Sequence, residues 1–305
     1  MKFNRILFPV DLSENSEKMA PFASMAADKF NAAIHILFVV REVEYYSDMC
    51  VSTTTIENFR HQVIRGSDIS LNKFREKHFK SQDDVTCSVV SGDIADEILA
   101  AIKTDKTDLL LLGTHGRKGL EKIVFGSIAD RLMKISPVPV LLVNPYKAVS
   151  FFPDTRKKRK ILFPVDLSEI SPKLVPYVEL LAGVYNADIQ LLSVVRPSGY
   201  FAALYQPDHS LEEFTKTVLS ETETSLADFK EKHFIKYPET KTAASYGLIP
   251  EEILKRIDTD KIDLLVMGTH GRRGLDKILF GSVAEKVAKL SPVPLLLINP
   301  YRNKL

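Results

Sequence analysis

Cysteine is scarce in this chain: 305 residues hold two, Cys50 and Cys87. Two thiols make neither a disulfide framework nor a cysteine-based metal cluster. No apolar run approaches the ~18 residues that a membrane span needs. The opening stretch MKFNRILFPVD has a short apolar segment ending at Asp11 and lacks a small-residue cleavage site, so no secretory leader is expected. Charge of one sign is also missing. Forty-one Lys and Arg against 39 Asp and Glu leave a net +2, too little to draw the whole molecule to nucleic acid or an anionic membrane. Two common phosphate-binding signatures are absent as well. There is no Gly-Lys dipeptide, which removes the P-loop, and no G-x-G-x-x-G, which removes the usual dinucleotide fingerprint. With 45% hydrophobic and 26% charged residues, the composition is that of a globular protein. The expectation is a cytoplasmic protein with no nucleic-acid partner, no membrane partner and no metal site.

What the chain does contain is itself, twice. ILFPVDLSE at Ile6–Glu14 returns at Ile161–Glu169, and FREKHF at Phe74–Phe79 returns as FKEKHF at Phe229–Phe234. GTHGRKGLEKIVFGS, starting at Gly113, returns as GTHGRRGLDKILFGS, starting at Gly268. Every pair is offset by 155, so the halves align without a gap, and from Gly113 to Tyr146 23 of 34 positions are identical. Solenoid units repeat every ~20–50 residues, so a period this long means duplicated domains. They are expected at residues 1–146 and 159–305, joined by a link over 147–158. The link leads into a basic cluster, Arg156–Lys160, which reads as a solvated segment.

Within the first half, apolar strand-like runs at Ile6–Val10, Ile34–Val40, Thr86–Val90, Asp108–Leu112 and Val138–Val143 alternate with helical patterns. Helices are expected from Ser13 or Ser16 to Phe30, over Ile56–Phe79, Ile94–Ile102 and Ser127–Ile135. Pro21 and its counterpart Pro176 should kink the first helix or delay its start. Strands that are apolar throughout belong to a parallel sheet covered on both faces. Each half is therefore read as a doubly wound, five-stranded α/β domain. Such sheets take ligands beyond the carboxyl ends of the strands, where the strand order reverses.

Eight of the 13 glycines lie in the two GTHGR segments. Gly113 closes the fourth strand, Gly116 follows, and Gly126-Ser127 opens a helix. Glycine permits unusual backbone angles and close approach, and a helix N-terminus offers free N–H groups and a positive dipole end to an anion. Together these make a phosphate cradle, with Arg117, Lys118 or Lys122 adding positive charge. The same residues would also serve a plain turn and helix start.

Gly113, Gly116, Gly126 and Ser127, with Asp11 in FPVDLSE and the closing SPVPVLLV, resemble the universal stress protein family over nearly the whole chain. The resemblance implies two tandem doubly wound parallel-sheet domains of strand order 3-2-1-4-5, related by a pseudo-two-fold axis. Both halves carry the G-x2-G-x9-G-S pattern of the family's ATP-binding members. That implies ATP in each half, with ADP or AMP as alternatives and Mg carried on the phosphates. Gly113, Gly116, Arg117, Gly126, Ser127 and Ile128 would hold ribose and phosphates in the first half. Gly268, Gly271, Arg272, Gly281, Ser282 and Val283 would do so in the second. Asp11 and Asp166 would lie by the adenine or ribose, or else act as helix caps. Val39 and Val194 would pair with adenine through their backbone, although FVV and SVV depart from the commoner His-Val of the family.

Family members commonly dimerise through their fifth strands, so the duplicated chain is expected to form that pair within itself, with further homo-dimerisation open. His115 and His270 sit in the glycine segments without a second ligand or carboxylate at catalytic spacing. His78 and His233 recur in KHF, where a structural role is expected. Cys50 and Cys87 face Tyr205 and Thr242 in the other copy, so no shared function needs a thiol. Tyr45, Tyr46, Tyr200 and Tyr205 follow the second strands and could flank a nucleotide. No catalytic residues are assigned. The reading is a stress-response module that binds ATP and acts through occupancy. The alternative is a slow ATPase, or a protein that phosphorylates itself on Ser127 or Ser282.

Overall fold

The computed structural model describes residues 1–41, 53–80, 82, 84–114, 125–147, 158–196, 210–270 and 280–302. Packing divides the chain into two compact units, one over Lys2–Tyr146 and the other over Lys147–Leu305.

In the first unit the order along the chain is β1 (Arg5–Val10), α1 (Glu14–Phe30), β2 (Ala33–Arg41), α2 (Thr53–His78) and β3 (Val85–Gly92). There follow α3 (Ile94–Thr104), β4 (Leu109–Gly113), α4 (Ser127–Ile135) and β5 (Val140–Val143). The strands lie β3-β2-β1-β4-β5, every neighbouring pair parallel. The second unit runs β6 (Arg159–Pro164), a 3-10 turn (Ser171–Leu174), α5 (Val175–Tyr185), β7 (Ala187–Val195) and α6 (Ser210–His233). It continues with β8 (Lys241–Tyr246), α7 (Ile249–Thr259), β9 (Leu264–Gly268), α8 (Ser282–Leu290) and β10 (Leu295–Ile298). Its order, β8-β7-β6-β9-β10, is again all parallel and matches the first unit strand for strand.

The apolar runs form the sheets because helices cover both of their faces. Ile6, Leu7, Leu110 and Leu111 are fully buried, as are Ile161, Leu162, Leu265 and Val266 at the corresponding places. The repeated F-x-E-K-H-F segment finds its reason here. Phe79 lies 6.3 Å from Phe74 and 6.4 Å from Phe8, and Phe234 lies 6.3 Å from Phe229 and 6.4 Å from Phe163. The end of each long helix is thus pinned to the first strand by three rings. His78 has the structural role expected of it, with its Nε2 2.7 Å from Glu17 Oε2.

The prolines act differently in the two copies. Pro21 lies inside α1, which runs through it without a break. In the second unit Pro172 sits in the 3-10 turn, and α5 begins only at Val175 with Pro176 in its first turn. The first copy has Glu17 where the second has Pro172. Two prolines four residues apart remove two amide donors from one stretch, and that delays the helix.

The backbone exceptions are duplicated too. Among the described residues, the positive-φ positions other than glycine are Leu12, Asn31 and Lys106, and then Leu167, Asn186 and Lys261, three pairs at the same offset. Asn31 and Asn186 end α1 and α5 in the left-handed conformation usual for a helix exit.

Candidate functional site

The strand order reverses between β1 and β4, and between β6 and β9, so each unit has a crevice at the carboxyl ends of those strands. Register fixes what borders it. Val10 pairs with Phe38, so Asp11 comes level with Val39. Leu7 pairs with Leu110, which brings Val10 level with Gly113. In the second unit Pro164 pairs with Leu192 and Leu162 with Leu265, which puts Asp166 level with Val194 and just beyond Gly268. The residues singled out from three distant stretches of sequence therefore meet at one edge.

The turn after the first strand is held by its aspartate. Asp11 Oδ1 accepts the Ser13 amide at 3.0 Å, the Ser13 hydroxyl at 2.5 Å and the Ser16 hydroxyl at 2.7 Å. Asp166 Oδ1 does the same with the Ser168 amide (3.0 Å), the Ser168 hydroxyl (2.6 Å) and the Ser171 hydroxyl (2.8 Å). Leu12 and Leu167, each with φ 56°, lie between the aspartate and the first serine. A leucine in the left-handed region is strained by about 1–2 kcal/mol, and three donors converging on one carboxylate oxygen are what hold it there. The first-helix caps differ from the expectation in detail. Ser13 occupies the N-cap position, but its hydroxyl bonds back to Asp11 and not forward to the helix amides. The signal for this arrangement was the repeated D-L-S-E-x-S of Asp11–Ser16 and Asp166–Ser171.

Across the crevice the glycine segment is closed at its base. Thr114 N donates to Val143 O (3.0 Å), and Gly126 N donates to Thr114 O (3.0 Å). In the second unit Thr269 N donates to Ile298 O (2.9 Å), and Gly281 N donates to Thr269 O (2.8 Å). A Cβ on Gly281 would come within 3.0 Å of that same Thr269 carbonyl oxygen, and one on Gly268 within 3.2 Å of the His270 carbonyl oxygen. Gly281 and Gly126 have ordinary φ values of −69° and −63°. Their role is therefore close approach, and the unusual backbone angles that glycine also permits are not used there.

Gly126 and Gly281 are also the N-caps of α4 and α8, and neither cap has a side-chain hydrogen bond. The first intrahelical bonds are Asp130 N to Gly126 O and Glu285 N to Gly281 O, both 2.9 Å. The amides of Ser127, Ile128 and Ala129, and of Ser282, Val283 and Ala284, precede them and have no acceptor within the helix. Ser127 and Ser282 are exposed, while Ile128 and Val283 are half-buried beside them. The first-turn acids do not block this end by charge. Asp130 is paired with Lys134 (2.7 Å) and Glu285 with Lys289 (2.6 Å), one turn further on.

Gly116, Arg117, Gly271 and Arg272 lie outside the described residues, as do Lys118, Lys122, His115, Cys50 and Tyr45, Tyr46, Tyr200 and Tyr205. His270 is described, and it is buried. Its Nδ1 lies 2.8 Å from Thr269 Oγ1, and its ring meets Tyr301 edge-on at 5.5 Å. Burial, and then the charge of Arg302, hold its pKa below the usual histidine value. In the first unit Tyr146 is tied to Asn15, its hydroxyl donating to Asn15 Oδ1 at 2.5 Å. Ile170 replaces that asparagine in the second copy, and the sequence alone points to neither tyrosine contact. Among the described residues no three His, Cys, Asp or Glu side chains gather as a metal site. No helix there is long and apolar enough to cross a membrane.

The model of the Universal stress protein family matches residues 2–144 and again residues 158–299. The chain belongs to the universal stress protein family. Among universal stress proteins, YxiE of Bacillus subtilis is 31% identical over 145 residues, covering 46% of this chain and 98% of its own. The universal stress protein E homolog of Haemophilus influenzae is 22% identical and covers 99% of both chains, so the tandem arrangement is shared. A universal stress protein of Archaeoglobus fulgidus has the same fold, with TM-score 0.67 and 20% identity over 97% of this chain and 98% of its own.

Proposed function

We propose that each half binds one adenine nucleotide, ATP in the first place, and that the protein acts as a regulatory module through nucleotide occupancy. The observation that carries this is the pair of helix N-termini at the carboxyl edge. Each opens on a glycine tied to the strand below it, with first-turn amides that have no acceptor within the helix. Several such amides and the dipole end of the helix suit a polyphosphate.

The residues fit the group. A side chain at Gly281 would push against the Thr269 carbonyl, so the loop base must stay bare. We assign phosphate binding to the amides of Ser127, Ile128, Ser282 and Val283, with Arg117 and Arg272, outside the described residues, assigned as cations from the motif alone. Gly113 and Gly268 end the strands that border the phosphates, and the motif alone assigns Gly116 and Gly271, outside the described residues, to the same role. Asp11 and Asp166 shape the turn that borders the ribose or adenine, and Val39 and Val194 offer backbone groups to the base. Mg would be carried on the phosphates of the nucleotide.

Denaturing the purified protein and identifying the released nucleotide tests this directly. Two nucleotides per chain is the expected maximum. No nucleotide released, together with no heat of ATP binding by calorimetry, would overturn it. A second reading rests on the exposed hydroxyls of Ser127 and Ser282 at the phosphate end of their helices: slow hydrolysis, or transfer of a phosphoryl group to serine. With labelled ATP, that reading predicts labelled protein lost in Ser127→Ala with Ser282→Ala, or phosphate release above blank.

A further inference from the structure

Near the amino end of β2, well away from the nucleotide edge, the first half carries a constellation that the second half lacks. His35 pairs in register with Thr86, so Ser88, two residues along β3, lies on the same face of the sheet as His35. His35 Nε2 is 2.7 Å from Ser88 Oγ. On its other side, His35 Nδ1 is in short contact with a carboxylate oxygen of Asp105, the residue that ends α3. The imidazole is 12% exposed and the carboxylate 26% exposed, and Ser88 is half-buried on the edge strand of its unit.

The partners fix the tautomer. A carboxylate only accepts, so in the neutral ring the proton sits on Nδ1 and the lone pair of Nε2 faces the serine hydroxyl. That is the order of groups which turns a serine into a nucleophile: hydroxyl, base, and a carboxylate that orients the base. The duplicate shows that the fold does not demand it. The second half keeps the aspartate as Asp260, which accepts from Gln190 Nε2 (2.6 Å), Thr259 Oγ1 (3.1 Å) and Arg256 Nη1 (3.3 Å). Ala243 stands where Ser88 does. Other side chains seat the helix end there, so the fold itself does not require a serine and an imidazole at these places.

We propose that Ser88, His35 and Asp105 form an acyl-transfer site that hydrolyses small carboxylic esters, independently of nucleotide binding. Ser88 Oγ attacks the ester carbonyl carbon as its proton passes to His35 Nε2. The carbon–oxygen bond to the alcohol breaks, and the leaving oxygen takes that proton. Water then attacks the acyl-serine by the same route, releasing the carboxylic acid and restoring the hydroxyl. Ser88 and His35 are the reacting groups, and Asp105 is a positioning residue. The imidazole is 12% exposed and Ser88 is half-buried, so small acyl groups are the substrates expected.

The test treats the full chain with a fluorophosphonate, which forms an oxygen–phosphorus bond at the activated serine and expels fluoride, and maps the adduct by peptide mass spectrometry. p-Nitrophenyl acetate turnover is followed in parallel. His35→Gln and Ser88→Ala install the residues of the second half at these places, so both variants are expected to keep the fold. The adduct is expected on Ser88 and should vanish in Ser88→Ala. It should form at least tenfold more slowly in His35→Gln and in Asp105→Asn, with recovery in Asp105→Glu. Acetate release should follow the same ranking. No adduct on Ser88 in the native chain, or equal labelling in His35→Gln, overturns the proposal.

Discussion

At Gly281 one methyl group separates a working loop base from a strained one. The Cβ of an alanine would stand 3.0 Å from the oxygen that accepts the Gly281 amide, so the carbonyl or the helix start must move. Gly281→Ala is expected to cost about 1–3 kcal/mol, as overpacking does. Calorimetry should then show ATP affinity at the second site falling by roughly tenfold or more, with the first site unchanged. His270 gives a pH prediction of definite sign. Burial holds its folded pKa below the unfolded value of about 6.5, so the folded state favours the neutral ring. Stability from this group is complete above pH ~6.5 and is lost as pH falls through the folded value. Urea midpoints at pH 7 and pH 5 should therefore differ more for the native protein than for His270→Gln, and equal differences would contradict it. At this scale the sequence is informative where a residue repeats. Asp11, Gly113, Gly126 and Ser127 stand out because their copies do. It is silent on Ser88 and His35, which have no copies, and on the tie between Tyr146 and Asn15, because neither neighbours the other along the chain.

Helix starts differ between the copies, and they can be compared in place. Asp93 caps α3, its Oδ1 accepting the amides of Ala95 and Asp96 at 3.1 Å each. Leu248 holds the same position at α7 with nearly the same backbone, φ −76° and ψ 127° against −71° and 129°, and no side-chain bond. It is 55% exposed, so replacing it gives up little burial. Leu248→Asp is expected to stabilise the second unit by about 1 kcal/mol, which raises its Tm by roughly 2–4 °C for a unit of this size. A fall in Tm in the calorimeter would count against this reading. The starts of α4 and α8 offer a sharper contrast. Ser282→Asp adds a negative charge at the dipole's positive end and should leave stability unchanged or raise it by about 0.3–1 kcal/mol. The same charge repels a phosphate, so ATP binding at that half should drop. Elements are legible in the sequence because fully buried strands read as continuous apolar runs, and the helices between them carry the 3.6-residue period. The place where the second copy's first helix begins is less so. Pro176 alone looks like Pro21, and only Pro172, four residues earlier, shifts the start to Val175.

For the molecule as a whole, the offset of 155 without a gap is enough by itself to mark two domains, and even the left-handed residues obey it. The strand order follows from family resemblance, since apolar runs show that strands exist and not which ones are neighbours. If each unit holds a nucleotide, denaturation should release up to two per chain. Gly126→Val should reduce that to one without abolishing the second site, as counted by chromatography against protein concentration. The two edges are not lined alike. Tyr146 is tethered to Asn15 in one, and in the other Ile170 stands in the asparagine's place, so Tyr301 has no such tether there. If each half takes a nucleotide as proposed, twin receptors of unequal grip on a single polypeptide would fill one after the other. Their combined occupancy would then climb over a broader span of cellular nucleotide levels than a lone site could register, with a half-filled state in between.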